Sequence, residues 1–242
     1  MTVAAAALAL FLGAALQSAT GFGFALVSAP ILFALLGPSE AVTAGFVVAI
    51  LLNSLTLATE RRRPQVLVRD AVALVAWSLP GMAVGLVALR EVPAEPLSVL
   101  VALAVVAGLA LRVRSRRADA IGGPRPWHIP VTGVTAGALG TSTSLNGPPL
   151  VFCILARGAA PAQMRDTLAA IFLAEALIGL PALLLSGTFT APRAAGVLLL
   201  AGLAGQVAGR RAFGWLRGDR YENVVLAVLA LTAVVAVATS IA

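Results

Sequence analysis

Apolar runs occupy residues 3–19, 24–36, 41–59, 71–89, 97–111, 129–139, 148–156, 167–186, 194–208 and 224–241. A helix needs about 20 residues, and at least about 17, to cross the hydrocarbon of a bilayer. Six of the runs reach that length, or nearly so once their flanks are counted. The pattern predicts an all-α polytopic membrane protein. Two runs, 24–36 and 148–156, are too short to cross, and each follows a break rich in Gly, Ser and Thr. Each reads as the second arm of a broken or re-entrant helical pair.

The pattern also repeats. Gly13-Ala14, Ser18, Gly23 and Leu26-Val27 recur at constant spacing as Gly137-Ala138, Ser142, Gly147 and Leu150-Val151. Pro38 recurs as Pro161 after a one-residue shift, and Gly81-x-x-x-Gly85 recurs as Gly205-x-x-x-Gly209. A single transmembrane domain over 1–242 is expected, with repeats at 3–112 and 129–242 joined by a linker at 113–128. Each repeat is a broken pair followed by three full transmembrane helices.

Composition agrees with a lipid-facing surface. The chain is 60% hydrophobic and 11% charged, against roughly 25% charged in a soluble domain. Its net charge of +7 comes with no lysine at all. The arginines gather between apolar runs, which is the pattern of cytoplasmic loops rather than a nucleic-acid-binding face. In the first half the loop 60–70 is arginine-rich and the loop 90–96 holds only Arg90. In the second half the loop 187–193 holds only Arg193, whereas 210–222 carries four arginines. Corresponding loops therefore lie on opposite sides of the membrane. The two repeats have inverted topology, the basic linker is cytoplasmic and both termini face outward. Residues 1–19 resemble a signal-peptide core but lack a basic region before it, and the segment recurs inside the chain, so it is expected to be retained.

Inverted repeats interrupted at matching positions point to a transporter's binding site. The breaks read Gln17-Ser18-Ala19-Thr20-Gly21-Phe22-Gly23 and Gly140-Thr141-Ser142-Thr143-Ser144-Leu145-Asn146-Gly147-Pro148-Pro149. Unwound backbone at membrane depth is tolerated only within protein or beside a wet cavity. Pro148 suits the first position of a helix. Helices starting near Phe24 and Pro148 would aim their positive ends at the breaks, forming an anion site without a buried cation. The plainer alternative is that these small residues serve close helix packing.

Other polar residues fall inside the spans. Glu175 is a candidate for coupling to a proton, because loss of water favours the neutral form of a carboxyl; satisfaction by neighbouring helices is the alternative. Its counterpart in the first half is Leu52, beside Asn53. Asn53 and Gln206 are candidates to line a cavity or to bond helix to helix. Cys153 reads as apolar filling and His128 as interfacial. With no lysine, one interfacial histidine and no acidic cluster, nucleophile–base pairs and metal ligands have no evident members. No cofactor or metal is expected, and the chain reads as a transporter rather than an enzyme.

The repeated pattern of Gly21-Phe22-Gly23…Pro30 and Gly140…Asn146-Gly147-Pro148-Pro149 resembles the TauE/SafE sulfite exporter family of bacterial permeases. The resemblance covers nearly the whole chain. It implies a multi-pass protein of the bacterial inner membrane that moves sulfite, sulfoacetate or related small sulfur-containing anions. It also implies substrate contacts at Ser18, Thr20, Gly21, Gly23, Thr141, Ser142, Asn146 and Gly147. A passive anion channel, a lipid flippase and, further off, an intramembrane hydrolase are the competing functions.

Overall fold

The computed structural model describes residues 2–59, 63–115 and 127–215. In chain order it contains α1 (Thr2–Thr20), α2 (Phe24–Leu36), α3 (Pro38–Ala58), α4 (Val68–Glu91), α5 (Ala94–Ser115), α6 (His128–Thr143), α7 (Gly147–Leu155), α8 (Pro161–Ser186) and α9 (Ala195–Trp215). No strand occurs among the described residues. The expected span at 224–241, most of the linker and the arginines at 217 and 220 lie outside them.

These segments are apolar on nearly every side, which suits a helix that packs in protein or faces lipid. Helices α3, α4 and residues 162–186 of α8 are each long and apolar enough to cross a membrane. Val72, Val84, Val87, Leu103, Leu185 and Leu200 point outward, each more than half exposed. Apolar side chains so exposed on several helices fit a hydrocarbon surround.

Local chemistry sets the helix ends. Gly37 turns the chain with φ 80° before Pro38 opens α3, where a missing N–H costs nothing. Gly187 closes α8 in a left-handed conformation, φ 74°.

Among the described helices, the broadest contacts join α4 to α6, α1 to α9 and α3 to α8. The first two depend on glycine. A Cβ at Gly81 or Gly85 would lie 2.0 Å from the Val134 carbonyl oxygen or 2.3 Å from that of Ala138. At Gly205 and Gly209 it would lie 2.2 Å from the Phe11 oxygen and 2.3 Å from the Ala15 oxygen. Both Gly-x-x-x-Gly pairs are thus close-packing faces, as in other membrane helix pairs.

Two loops are clamped onto helix starts. Gln65 N–H donates to Asp166 Oδ2 at 2.7 Å and Leu67 N–H to Thr167 Oγ1 at 2.9 Å, holding the segment before α4 against α8. The segment before α9 is held against α3 by Arg193 N–H donating to Glu40 Oε1 at 2.6 Å and Thr190 N–H to Thr43 Oγ1 at 3.4 Å. Arg157 and Asp70 form a part-buried ion pair at 2.5 Å, joining the turn after α7 to the start of α4.

Candidate functional site

Helix α1 ends at Thr20 and α6 at Thr143; α2 begins at Phe24 and α7 at Gly147; α3 begins at Pro38 and α8 at Pro161. One constant offset relates all three boundaries. It sets Gly21 opposite Ser144 and Gly23 opposite Asn146, one residue away from the glycine match that pairs Gly23 with Gly147. The cause is the geometry of a helix end. Gly21 and Ser144 both adopt positive φ, 83° and 62°. Gly21 N–H donates to the Gln17 carbonyl at 2.7 Å, and Ser144 N–H to the Gly140 carbonyl at 3.0 Å. The left-handed turn that closes each helix is what recurs, although serine adopts it less readily than glycine.

The two breaks line one cavity. Gln17, Gly23, Phe24, Ala25 and Leu26 approach it from the first half, and Ser144, Leu145, Asn146, Gly147 and Pro148 from the second. Asn53, Gly45 and Phe46 on α3 and Phe172 on α8 complete the wall. The space for water-sized molecules is about 40 Å³, roughly enough for three waters. Its polar side chains are Gln17, Asn53, Ser144 and Asn146; no charged side chain lines it among the described residues.

The donors at the cavity differ from those expected of the sequence. Phe24, Ala25 and Leu26 open α2 there, and the first N–H groups of a helix have no partner within it. Helix α7 instead starts at Gly147, so Pro148 and Pro149 hold its second and third positions. Neither proline carries an N–H. The positive end of α2 is therefore the richer in backbone donors.

Most of the break hydroxyls are already committed. Ser18 Oγ donates to the Gln206 carbonyl at 3.0 Å, and Thr141 Oγ1 donates to the Met82 carbonyl at the same distance. Ser142 Oγ donates to the Ala138 carbonyl at 2.7 Å and Thr143 Oγ1 to that of Leu139 at 2.7 Å. None of these four lines the cavity. Among the described side chains the exception is Ser144, whose buried Oγ has no hydrogen-bond partner. Its room comes from Gly45, where a Cβ would lie 2.7 Å from that oxygen. Ser144 sits in the hydroxyl run quoted from the sequence, but only the backbone turn distinguishes it from its neighbours.

Of the remaining expected residues, Gly23, Asn53, Asn146 and Gly147 line the cavity, and Gly21, Glu175 and Gln206 do not. The Thr20 side chain lies outside the described ones. Gly21 packs on α8: a Cβ there would meet the aliphatic stem of Arg165 at 2.8 Å. Gln206 Nε2 donates to Thr56 Oγ1 at 3.0 Å, bonding α9 to α3. Glu175, 1% exposed, stands behind the second break and accepts a hydrogen bond from Asn146 Nδ2 at 2.5 Å. Gln17 Nε2 likewise donates to Asn53 Oδ1 at 2.9 Å behind the first break. Nothing in the sequence marks Gln17 out, because a glutamine near a helix end has many plain uses. No group of three or more His, Cys, Asp or Glu that could hold a metal occurs among the described residues.

A comparison with protein-family models matches residues 5–236, nearly the whole chain, to the sulfite exporter TauE/SafE family. The chain belongs to the TauE/SafE family. This makes it a membrane transporter protein of a family that handles sulfur anions such as sulfite, in keeping with its apolar, outward-facing helices. No curated protein and no solved structure gives a significant match. For a TauE/SafE protein the cavity chemistry is apt: neutral donors and a helix N-terminus can meet a small anion without holding it as an ion pair would.

Proposed function

We propose that this TauE/SafE protein is a secondary transporter that exports sulfite, sulfoacetate or a related organosulfonate across the bacterial inner membrane by alternating access. The observation that carries the reading is the meeting of both helix breaks at one cavity lined by neutral donors. Backbone N–H groups of α2, the Ser144 hydroxyl and the Asn146 amide would meet the anionic oxygens. Phe24, Phe46 and Phe172 would face a short carbon chain. Ser18, Gly21 and Thr141 would hold the breaks in shape around the bound ion.

Inverted repeats are part of the proposal. Exchanging α1 with α6, α4 with α9 and α3 with α8 turns the α4–α6 contact into α9–α1 and leaves α3–α8 unchanged. It also relates the hydrogen bond from Ser18 to Gln206 with that from Thr141 to Met82. The two clamped loops stand in corresponding places, one before α4 and one before α9. Such symmetry supports two interchangeable halves rocking about a shared site. A proton carried by Glu175 is the proposed coupling ion.

Solid-supported-membrane electrophysiology on the purified protein tests the reading, with sulfite, sulfate, thiosulfate, sulfoacetate and taurine as substrates. Saturable currents selective for sulfur anions are expected. Currents that never saturate would indicate a passive channel, and silence with all five would remove the anion reading.

A further inference from the structure

Glu175 lies midway along α8, and its carboxyl is used on one side only. Oε2 accepts from Asn146 Nδ2, whereas Oε1 is buried with no hydrogen-bond partner. Asn146 in turn lines the cavity, and its side chain makes no capping bond to α7. Helices α3, α4, α6 and α7 pack against α8. Among the described residues they bring no ionisable group to Glu175; its polar neighbours are the Asn146 amide and the Ser78 hydroxyl on α4. That hydroxyl donates instead to the Val75 carbonyl at 2.8 Å. Glu175 therefore acts on the cavity through Asn146. The first half has Gly23 and Leu52 at the corresponding positions, so the device is built once.

An ionised carboxylate can only accept hydrogen bonds, whereas a protonated carboxyl can also donate one. A primary amide carries its donor and its acceptor on opposite edges. While Glu175 is charged, it holds the Asn146 NH₂ toward itself and leaves the amide oxygen for the cavity, where it repels an anion. Once a proton from water sits on Glu175, its O–H can donate to Asn146 Oδ1. The amide then turns over and offers its NH₂ to the cavity.

We infer that Glu175 is a positioning residue whose proton converts Asn146 from an acceptor into a donor for the anion. The inference rests on the proposed anion site and gives it a coupling mechanism. The switch breaks no covalent bond other than that of the incoming proton to water. It brings one positive charge in with the anion, reducing the cost of burying that anion's charge.

Titration of thiosulfate, which stays fully ionised throughout, into full-length protein from mildly acidic to mildly alkaline pH tests this. Wild-type affinity should fall as the pH rises. Glu175→Gln, whose amide can donate permanently to Asn146, should bind at alkaline pH as tightly as wild type in acid, with a flat profile. Asn146→Ala should bind about tenfold or more weaker than wild type in acid and also be flat. Ser144→Ala should bind weakly yet keep the wild-type slope, separating loss of a donor from loss of the switch. A wild-type slope retained in Asn146→Ala would overturn the inference, and that variant decides alone if Glu175→Gln fails to fold. A flat wild-type profile would sink the switch but leave the anion site standing. No binding of thiosulfate, sulfite or sulfate would remove both.

Discussion

Gln17 and Asn53 join α1 to α3 at the cavity wall, Gln17 Nε2 donating to Asn53 Oδ1 at 2.9 Å. Asn53 Nδ2 passes on to the Ala49 carbonyl at 2.7 Å, and both side chains are buried. Loss of either partner leaves a buried polar group unpaired, at a cost of about 1–3 kcal/mol. Asn53→Ala should lower the unfolding temperature accordingly. A double-mutant cycle with Gln17→Ala should lose less than the sum of the single changes; strict additivity in the melts would show that the two act separately.

The hydroxyls of the second break should separate into two kinds. Ser144 is unpartnered at the cavity, whereas Ser142 is spent on the Ala138 carbonyl. A hydrogen bond to a charged ligand is worth about 1.5–3 kcal/mol, or about ten- to a hundredfold in affinity. Ser144→Ala should weaken anion binding by that factor with little change in melting temperature, and Ser142→Ala should bind nearly as wild type. Calorimetric titration beside the melting curve of each variant checks both. The reverse order would place the anion on the other side of the break.

Glycines at the cavity and between helices should respond differently to alanine. At Gly147 a Cβ would meet only Phe172, at an ordinary 3.9 Å, so the methyl can be accommodated beside the cavity. At Gly81 and Gly85 it would strike a backbone oxygen at 2.0 and 2.3 Å. Gly147→Ala is expected to impair anion binding while the protein melts normally. Gly81→Ala and Gly85→Ala should each lose about 1–3 kcal/mol or more through overpacking. Equal losses of stability at all three positions would mean that Gly147 too is a packing residue.

The proposed inverted topology gives opposite sidedness to the two clamped loops. In a Cys153→Ala background, Arg62→Cys and Arg114→Cys should react with an impermeant thiol reagent only after the cytoplasmic face is opened. Arg193→Cys, on an arginine that is 85% exposed, should react from outside. Labelling of Arg62→Cys and Arg193→Cys from the same side would refute the inversion.

Much of this protein was decided by one-dimensional chemistry. Lengths of apolar sequence set the helices, because backbone groups in hydrocarbon must be satisfied within a segment. Glycine and proline set the breaks after Thr20 and before Pro38 and Pro161, because those residues constrain the backbone locally. Close packing at the two Gly-x-x-x-Gly pairs was legible for the same reason: a missing Cβ is written in the sequence. The partners of polar side chains were not. Ser18 and Thr141 look like ligand donors until α9 and α4 present the carbonyls that take them, and Ser144 looks like its neighbours until a left-handed turn detaches it from its own helix. Glu175 could be identified as a costly buried carboxyl, but only folding put Asn146 between it and the cavity. A hydrogen bond depends on distance and direction between groups far apart in the chain, and those exist only once the helices have packed.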